Sequence, residues 1–194
     1  YVSTAEGGGL QLFVRSMAGG ETARLTGLPD SPSDLAWSPD GRRLAYLMRV
    51  PGEGTSIGKA PPKPEGAQWA EPLQVIDKLQ YRNDGSGYVK PGFDHVFLID
   101  ADGGAPRRLT HGAFPINGPF EWMPDGRSLV VSGNRNSDWE REPLEVELYS
   151  VDTGSGEFTQ LTRRKGVDVA PAVSRDGRQI AFLGFDDTGE AYVQ

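Results

Sequence analysis

Short apolar runs separated by clusters of glycine, proline and aspartate extend along the whole chain. The runs are about 4–6 residues long and rich in Val, Leu, Ile, Tyr and Phe, which is typical of β-strands. Apolar and polar positions alternate imperfectly, as at Leu44–Leu47. Such runs favour strands that are covered on both faces, so the pattern predicts an all-β protein.

Three signatures recur in one fixed order, three times along the chain. The last signature is an Asp-Gly-Arg segment with an apolar run behind it, at Trp37–Leu47, Trp122–Ser132 and Val173–Leu183. A Leu-Thr pair precedes each copy, at Leu25–Thr26, Leu109–Thr110 and Leu161–Thr162. A further apolar run precedes each pair, at Leu12–Val14, Val96–Ile99 and Leu148–Val151. Recurrence of this kind indicates a repeat architecture.

Each signature has a simple physical interpretation. Glycine accepts positive φ and aspartate bonds its own backbone, so the Asp-Gly pairs predict hairpin turns. Glycine-rich segments at 17–20, 102–104 and 152–156 predict a second set of turns. One unit then has strand 1 (Leu35–Ser38), strand 2 (Arg43–Met48), a connection and strands 3 and 4. Four antiparallel strands in each repeat predict the blades of a β-propeller.

This register predicts a partial β-propeller of about three four-stranded antiparallel blades, open at both ends. We expect 1–34 to be the end of one blade (strands 3 and 4 and a link) and 35–110 a blade with a large insertion at 49–94. Residues 111–162 would form a blade with a loop insertion at 133–145, and 163–194 an incomplete blade. Tyr1–Val2 and Ala191–Val193 then fall inside strands. Because the chain also lacks an initiator Met, we expect residue 1 to be the start of a fragment.

Both long connections join strands 2 and 3, so they should lie on the same face of the propeller. Function carried by loops collects where the loops are long, which makes this face the candidate for contact with a substrate or another domain. The Pro-rich segment 49–94, with a strand-like Leu73–Leu79 and a stretch at Tyr81–Tyr88, is expected to be an ordered arm. The charged loop around Trp139 is either a self-satisfied surface loop or a ligand-facing one.

Composition and charge narrow the possible functions. The 26 Gly and 15 Pro residues are in excess and predict many tight turns. A net charge of −7 without a run of basic residues argues against nucleic acid as a binding partner. The chain has no cysteine, no apolar run long enough to span a bilayer and no signal-peptide pattern. We therefore expect no membrane contact, no cofactor and an undetermined compartment, with the cytoplasm favoured.

Three motifs resemble functional sites but lack the required context. Ser56 lies in a Gly-x-Ser-x-Gly motif without the flanking strand and helix of a nucleophile elbow. Asp100 and Asp102 lack the later acidic ligands of a calcium loop. His95 and His111, without cysteine, make no convincing zinc site. The sequence thus predicts no catalytic residue and no metal site.

The Leu-Thr and Trp-Ser-Pro-Asp-Gly repeat resembles the WD40-like blades of TolB and of the prolyl oligopeptidase family. Within that family, three further segments look like the acylaminoacyl-peptidase branch: Trp69–Tyr88, Asn134–Glu140 and Ala181–Phe185. The resemblance covers nearly the whole chain. It implies a propeller that caps a C-terminal α/β-hydrolase domain carrying a Ser-Asp-His triad.

The resemblance also implies a role for this propeller. It would gate short peptide substrates and position them for the hydrolase domain, which lies outside this chain. Dipeptidyl peptidases hold the substrate amine with an acidic pair after Asp-Trp. Here Glu140 and Glu142 follow Asp138–Trp139, so the candidate substrate-binding residues are Glu140, Glu142, Arg135 and Trp139. The sequence does not decide whether the protein forms a homo-oligomer. The alternative function is that of a non-catalytic, TolB-like propeller that binds other proteins.

Overall fold

The computed structural model describes residues 1–5, 8–55, 58, 61–69, 75–85 and 87–186. Every regular element within these residues is a β-strand, and the strands form four blade-like sheets and one small hairpin. None of the described residues forms a helix long and apolar enough to cross a membrane. The prediction of an all-β, partial and open propeller is confirmed.

The strands follow chain order within each sheet and pair antiparallel. The first sheet contains β1 (Val2–Ser3), β2 (Gln11–Arg15) and β3 (Thr22–Arg24). The second contains β4 (Pro32–Trp37), β5 (Arg43–Pro51), β8 (Gly92–Asp100) and β9 (Arg107–Arg108). The third contains β10 (Ile116–Trp122), β11 (Ser128–Gly133), β12 (Glu147–Asp152) and β13 (Phe158–Gln160). The fourth contains β14 (Val167–Val173) and β15 (Ile180–Phe185), and the hairpin contains β6 (Arg82–Asn83) and β7 (Gly87–Tyr88).

The Asp-Gly turns have the chemistry that the sequence predicts. The Asp40 carboxylate accepts hydrogen bonds from the Ser38 hydroxyl (2.6 Å) and the Arg42 amide (3.1 Å). Gly41 follows with a φ of 69°, a conformation that costs glycine least. Asp176 repeats the same bonds with Ser174 and Arg178. These local bonds close the hairpins that begin the second and fourth sheets.

The Leu-Thr signature closes the other edge of each blade. Its threonine hydroxyl accepts the amide hydrogen at the start of strand 3, where the short strand 4 no longer supplies a carbonyl. The bonds join Thr26 to Leu12 (3.0 Å), Thr110 to Val96 (2.9 Å) and Thr162 to Leu148 (2.9 Å). Threonine is thus required because a buried amide without a partner is costly.

Two apolar clusters join neighbouring sheets. One lies between the first and second sheets around Tyr46, and the other between the second and third sheets around Trp122. The Trp122 indole also donates to the Ala36 carbonyl across the interface (3.1 Å). Removing a buried aromatic side chain of this kind costs about 3–5 kcal/mol. Trp37, at the equivalent position of the second sheet, is 48% exposed because no described strand covers it.

The large insertion is shorter than the predicted 49–94, because β5 and β8 stay paired out to Pro51 and Gly92. Gly92 has a φ of 120°, and a Cβ there would collide with the Val50 carbonyl, so the close pairing needs glycine. The described part of the predicted strand Leu73–Leu79 begins at Val75 and contains no strand. Ser56 and Ala191–Val193 lie outside the described residues.

Candidate functional site

The two long connections meet on one face of the propeller. The Lys78 ammonium lies 3.0 Å from the Glu140 carboxylate, and the Leu79 amide donates to the same carboxylate (3.1 Å). The Trp139 ring packs edge-on against Phe93, with 5.5 Å between the ring centroids. The two contacts of Glu140 join the arm at 52–91 to the loop at 134–146, and the ring contact joins that loop to β8. The prediction that both connections elaborate a single face is confirmed.

A cavity of about 920 Å³ lies between the arm, the paired ends of β5 and β8, and the link from β9 to β10. Trp139 closes it from the second connection, and Phe93 contributes a further aromatic wall. This volume lies at the upper end of the range for sites that bind small molecules or short peptides. The charged residues of its wall carry both signs: Arg49, Lys78, Lys90, Arg108, Glu53, Asp77 and Asp94.

An arginine and an aspartate stand opposite each other where β5 pairs with β8. The Arg49 guanidinium donates to the Gly92 carbonyl (3.0 Å) and to the Lys90 carbonyl, which fixes the entry of the arm. Burial raises the pKa of Asp94; Arg49 opposes that shift, while Asp30 and Asp34 add to it. Arg49 is thus held by the backbone and faces a compensating acid.

His95 and Arg108 form a buried polar network at the floor of the cavity. Arg108 Nη2 lies 2.8 Å from His95 Nε2, and His95 Nδ1 lies 3.2 Å from the Thr110 hydroxyl. Arginine can only donate, so Nε2 must accept and Nδ1 carries the proton. Burial, Arg108 and His111 lower the pKa of His95 to about 4, which keeps the imidazole neutral. Both ring nitrogens of His95 are therefore used in hydrogen bonds within the chain, and neither is available to act as a general base.

Of the four candidate substrate-binding residues, the structure places Glu140 at the contact with the arm and Trp139 against Phe93 of β8. The Leu79 amide and the Lys78 ammonium lower the pKa of Glu140, so its carboxylate is ionised and occupied within the chain. A substrate amine could reach Glu140 only by displacing Lys78. The sequence did not predict this pairing, because the two partners are far apart along the chain.

Arg135 and Glu142 make other contacts. The Arg135 guanidinium stacks between the rings of Phe114 (4.0 Å) and Phe158 (3.9 Å), so it anchors the loop to the third sheet. Glu142 is exposed, and its carboxylate accepts a long bond from Asn136 (3.4 Å), the one side-chain bond that it makes among the described residues. The loop itself turns around the buried Asn134, whose amide donates to the Glu142 carbonyl (2.6 Å). The structure does not gather the four candidates into one site.

Sequence reasoning missed Arg108 and a polar residue that recurs in strand 3 of each blade, directly before the amide that the threonine binds. That residue is Gln11 in the first sheet, His95 in the second and Glu147 in the third, and each pairs with the threonine of the Leu-Thr signature. Alignment of the three repeats on that threonine would have found it. No group of three or more His, Cys, Asp or Glu residues that could hold a metal ion occurs among the described residues.

Comparison with known proteins gives a consistent result. Residues 65–189 match the family model described as the dipeptidyl peptidase IV (DPP IV) N-terminal region. The chain is 33% identical over 135 residues to the uncharacterized peptidase YuxL of Bacillus subtilis, covering 69% of this chain and 20% of that protein. It is 26% identical over 123 residues to the Tol-Pal system protein TolB of Francisella tularensis, covering 61% of this chain and 26% of that protein.

Solved structures agree on the fold. The uncomplexed acylaminoacyl peptidase of Pyrococcus horikoshii aligns with a TM-score of 0.58 at 14% identity, covering 91% of this chain and 27% of that one. Identity at this level supports the propeller fold alone. This chain therefore spans only about a fifth to a quarter of the length of the relatives described here.

Proposed function

The chain belongs to the family of dipeptidyl peptidase IV N-terminal regions, and we propose that it gates and positions short peptide substrates for an α/β-hydrolase domain of a longer protein. One observation carries the proposal: both long connections lie on one face and line a cavity of about 920 Å³. A cleft of this size can admit a short, flexible chain, whereas a folded protein is too large to enter it. Its walls of mixed charge and aromatic surface suit the ends and side chains of peptides.

The contact between arm and loop is the element that would set the size limit. It depends on the Lys78–Glu140 ion pair and on the bond from the Leu79 amide to the same carboxylate. An ion pair at this level of exposure contributes at most about 1 kcal/mol, so thermal opening of the arm remains accessible. The pair would therefore hold the arm against the loop, but weakly enough for the arm to move away from it.

The first experiment treats the full-length protein with a fluorophosphonate and maps the adduct. An adduct outside residues 1–194 supports a serine hydrolase served by this propeller. We then compare kcat/KM for tripeptides and for peptides of a dozen residues before and after Lys78→Met. We expect the variant to favour the longer peptides by about 2- to 5-fold. Asp138→Asn is the matched control, because Asp138 forms its ion pair with Arg141, on the exposed side of the same loop.

A second candidate function is a non-catalytic module for protein interaction. The similarity to TolB favours it. A full-length protein that takes up no fluorophosphonate would support this reading and would refute gating for a serine hydrolase.

A further inference from the structure

Arg108 is held rigidly by two neutral partners at the wall of the cavity. Its Nε donates to the Thr110 carbonyl (2.8 Å), and its Nη2 donates to His95 Nε2 (2.8 Å). A guanidinium has five N–H groups in a fixed fork. Two are used here, and the others make no hydrogen bond within the described part of the chain. Arg108 therefore has a fixed orientation and still has N–H groups that can donate to a ligand.

The charge of Arg108 is also uncompensated. The ion pairs among the described residues join other side chains, those of Lys78, Arg141 and Arg164. His95 is a neutral acceptor, and burial lowers the pKa of Arg108 with no nearby acid to oppose the shift. Arg49, in the same cavity, differs because Asp94 faces it. A partly buried, unpaired charge is costly, so such an arrangement is typical of a site that awaits a counterion.

We infer that Arg108 is an anion-binding residue of the cavity and that it takes a carboxylate, the C-terminal group of a short peptide. A planar carboxylate matches the two-pronged fork of a guanidinium. Trp139 and Phe93 offer apolar surface for the adjoining side chains. The choice of a peptide as the source of the carboxylate rests on the proposed function; the anion site itself does not.

The test uses the full-length protein and a tripeptide of D-residues, which resists hydrolysis, as the free acid and as the C-terminal amide. Isothermal titration should show the acid binding about 10- to 100-fold more tightly than the amide, the range for one charge-assisted contact. Arg108→Met should abolish that difference. Arg24→Met is the matched control, because Arg24 makes the equivalent bond to the Thr26 carbonyl in the first sheet and does not line the cavity.

Equal affinity of the unaltered protein for acid and amide would overturn the inference. So would an acid preference that survives Arg108→Met or that disappears equally in Arg24→Met. If Arg108→Met fails to fold, Arg108→Lys decides: it keeps the charge but loses the fork, and the acid preference should fall without vanishing. An acid preference in a protein without hydrolase activity would leave the anion site standing and would refute the gating function alone.

Discussion

Replacing Glu147 with glutamine should stabilise the protein at neutral pH. Glu147 begins β12 and is 7% exposed. Thr162 and the Arg164 amide bond its carboxylate, but Oε2 has no hydrogen-bond partner among the described residues. Burial raises the pKa of Glu147, and the nearby Asp168 adds to the shift. At neutral pH the buried Oε2 of Glu147 therefore occupies a position where a hydrogen-bond donor, such as an amide N–H, would fit better.

The first sheet shows what a donor does there. Gln11 holds the equivalent position: its carbonyl accepts from the Thr26 hydroxyl (3.0 Å) and the Leu28 amide (2.7 Å). Its amide group donates to the Leu28 carbonyl (3.1 Å). Leu28 follows Thr26 by the same two positions as Arg164 follows Thr162. Glu147→Gln should thus recreate the bonding of Gln11, with the new amide donating to the Arg164 carbonyl.

The magnitude follows from the unpaired oxygen. Leaving a buried polar group unsatisfied costs about 1–3 kcal/mol, and the loss of attraction between Glu147 and Arg164 offsets part of the gain. We expect a net stabilisation of about 1–2 kcal/mol at pH 8. The size of the gain depends on pH, because a carboxyl with a raised folded-state pKa makes the folded protein less stable as pH rises above the ordinary value of 4.5. The gain should therefore be small near pH 4 and complete at pH 8.

Urea unfolding of the intact protein at several pH values, followed by circular dichroism, measures this gain. Gln11→Glu is the reciprocal control in the first sheet: it should destabilise by a similar amount at pH 8 and less at pH 4. A Glu147→Gln variant that is less stable at pH 8, or whose gain does not change with pH, would refute the reasoning.

Three further predictions concern single groups. Tyr46→Phe should leave stability unchanged or raise it by up to about 1 kcal/mol in thermal unfolding, because the Tyr46 hydroxyl is buried and has no partner among the described residues. A clear loss of stability would show that the Tyr46 hydroxyl makes a hydrogen bond after all. The folded protein disfavours protonation of His95, so the unaltered protein should lose about 2–3 kcal/mol of stability through this group as the pH falls from 6.5 to 4. His95→Gln should abolish that part of the pH dependence. An unchanged pH profile would contradict this. Glu140→Gln in the full-length protein should leave KM for a short free-amine peptide unchanged, because Lys78 and the Leu79 amide already bind the Glu140 carboxylate; a raised KM would identify Glu140 as an amine-binding residue.

The regular part of the fold could be predicted from the sequence because its signals are local. An Asp-Gly turn such as Asp40–Gly41 and a threonine such as Thr110 each act within a few residues or one strand pair. The faces on which the connections lie also followed, since strand order determines them. These features need no knowledge of distant contacts.

The contents of the site could not be predicted in the same way. Lys78 and Glu140 belong to different connections, and no periodicity relates them. Arg135, a candidate for substrate binding, has the charge that such a role needs. Its position between Phe114 and Phe158 depends on the packing of the link against β13, which the sequence pattern does not encode.

One position in the repeat connects the structure to the proposed function. Gln11, His95 and Glu147 all support a threonine at the edge of a blade. Only His95 also lines the cavity, together with the arginine that it orients. A neutral imidazole fixes Arg108 without cancelling its charge, whereas a glutamate there would form an ion pair with it. The second blade therefore retains a positive charge where the large insertion covers the repeat, and this is where the propeller can act on a ligand.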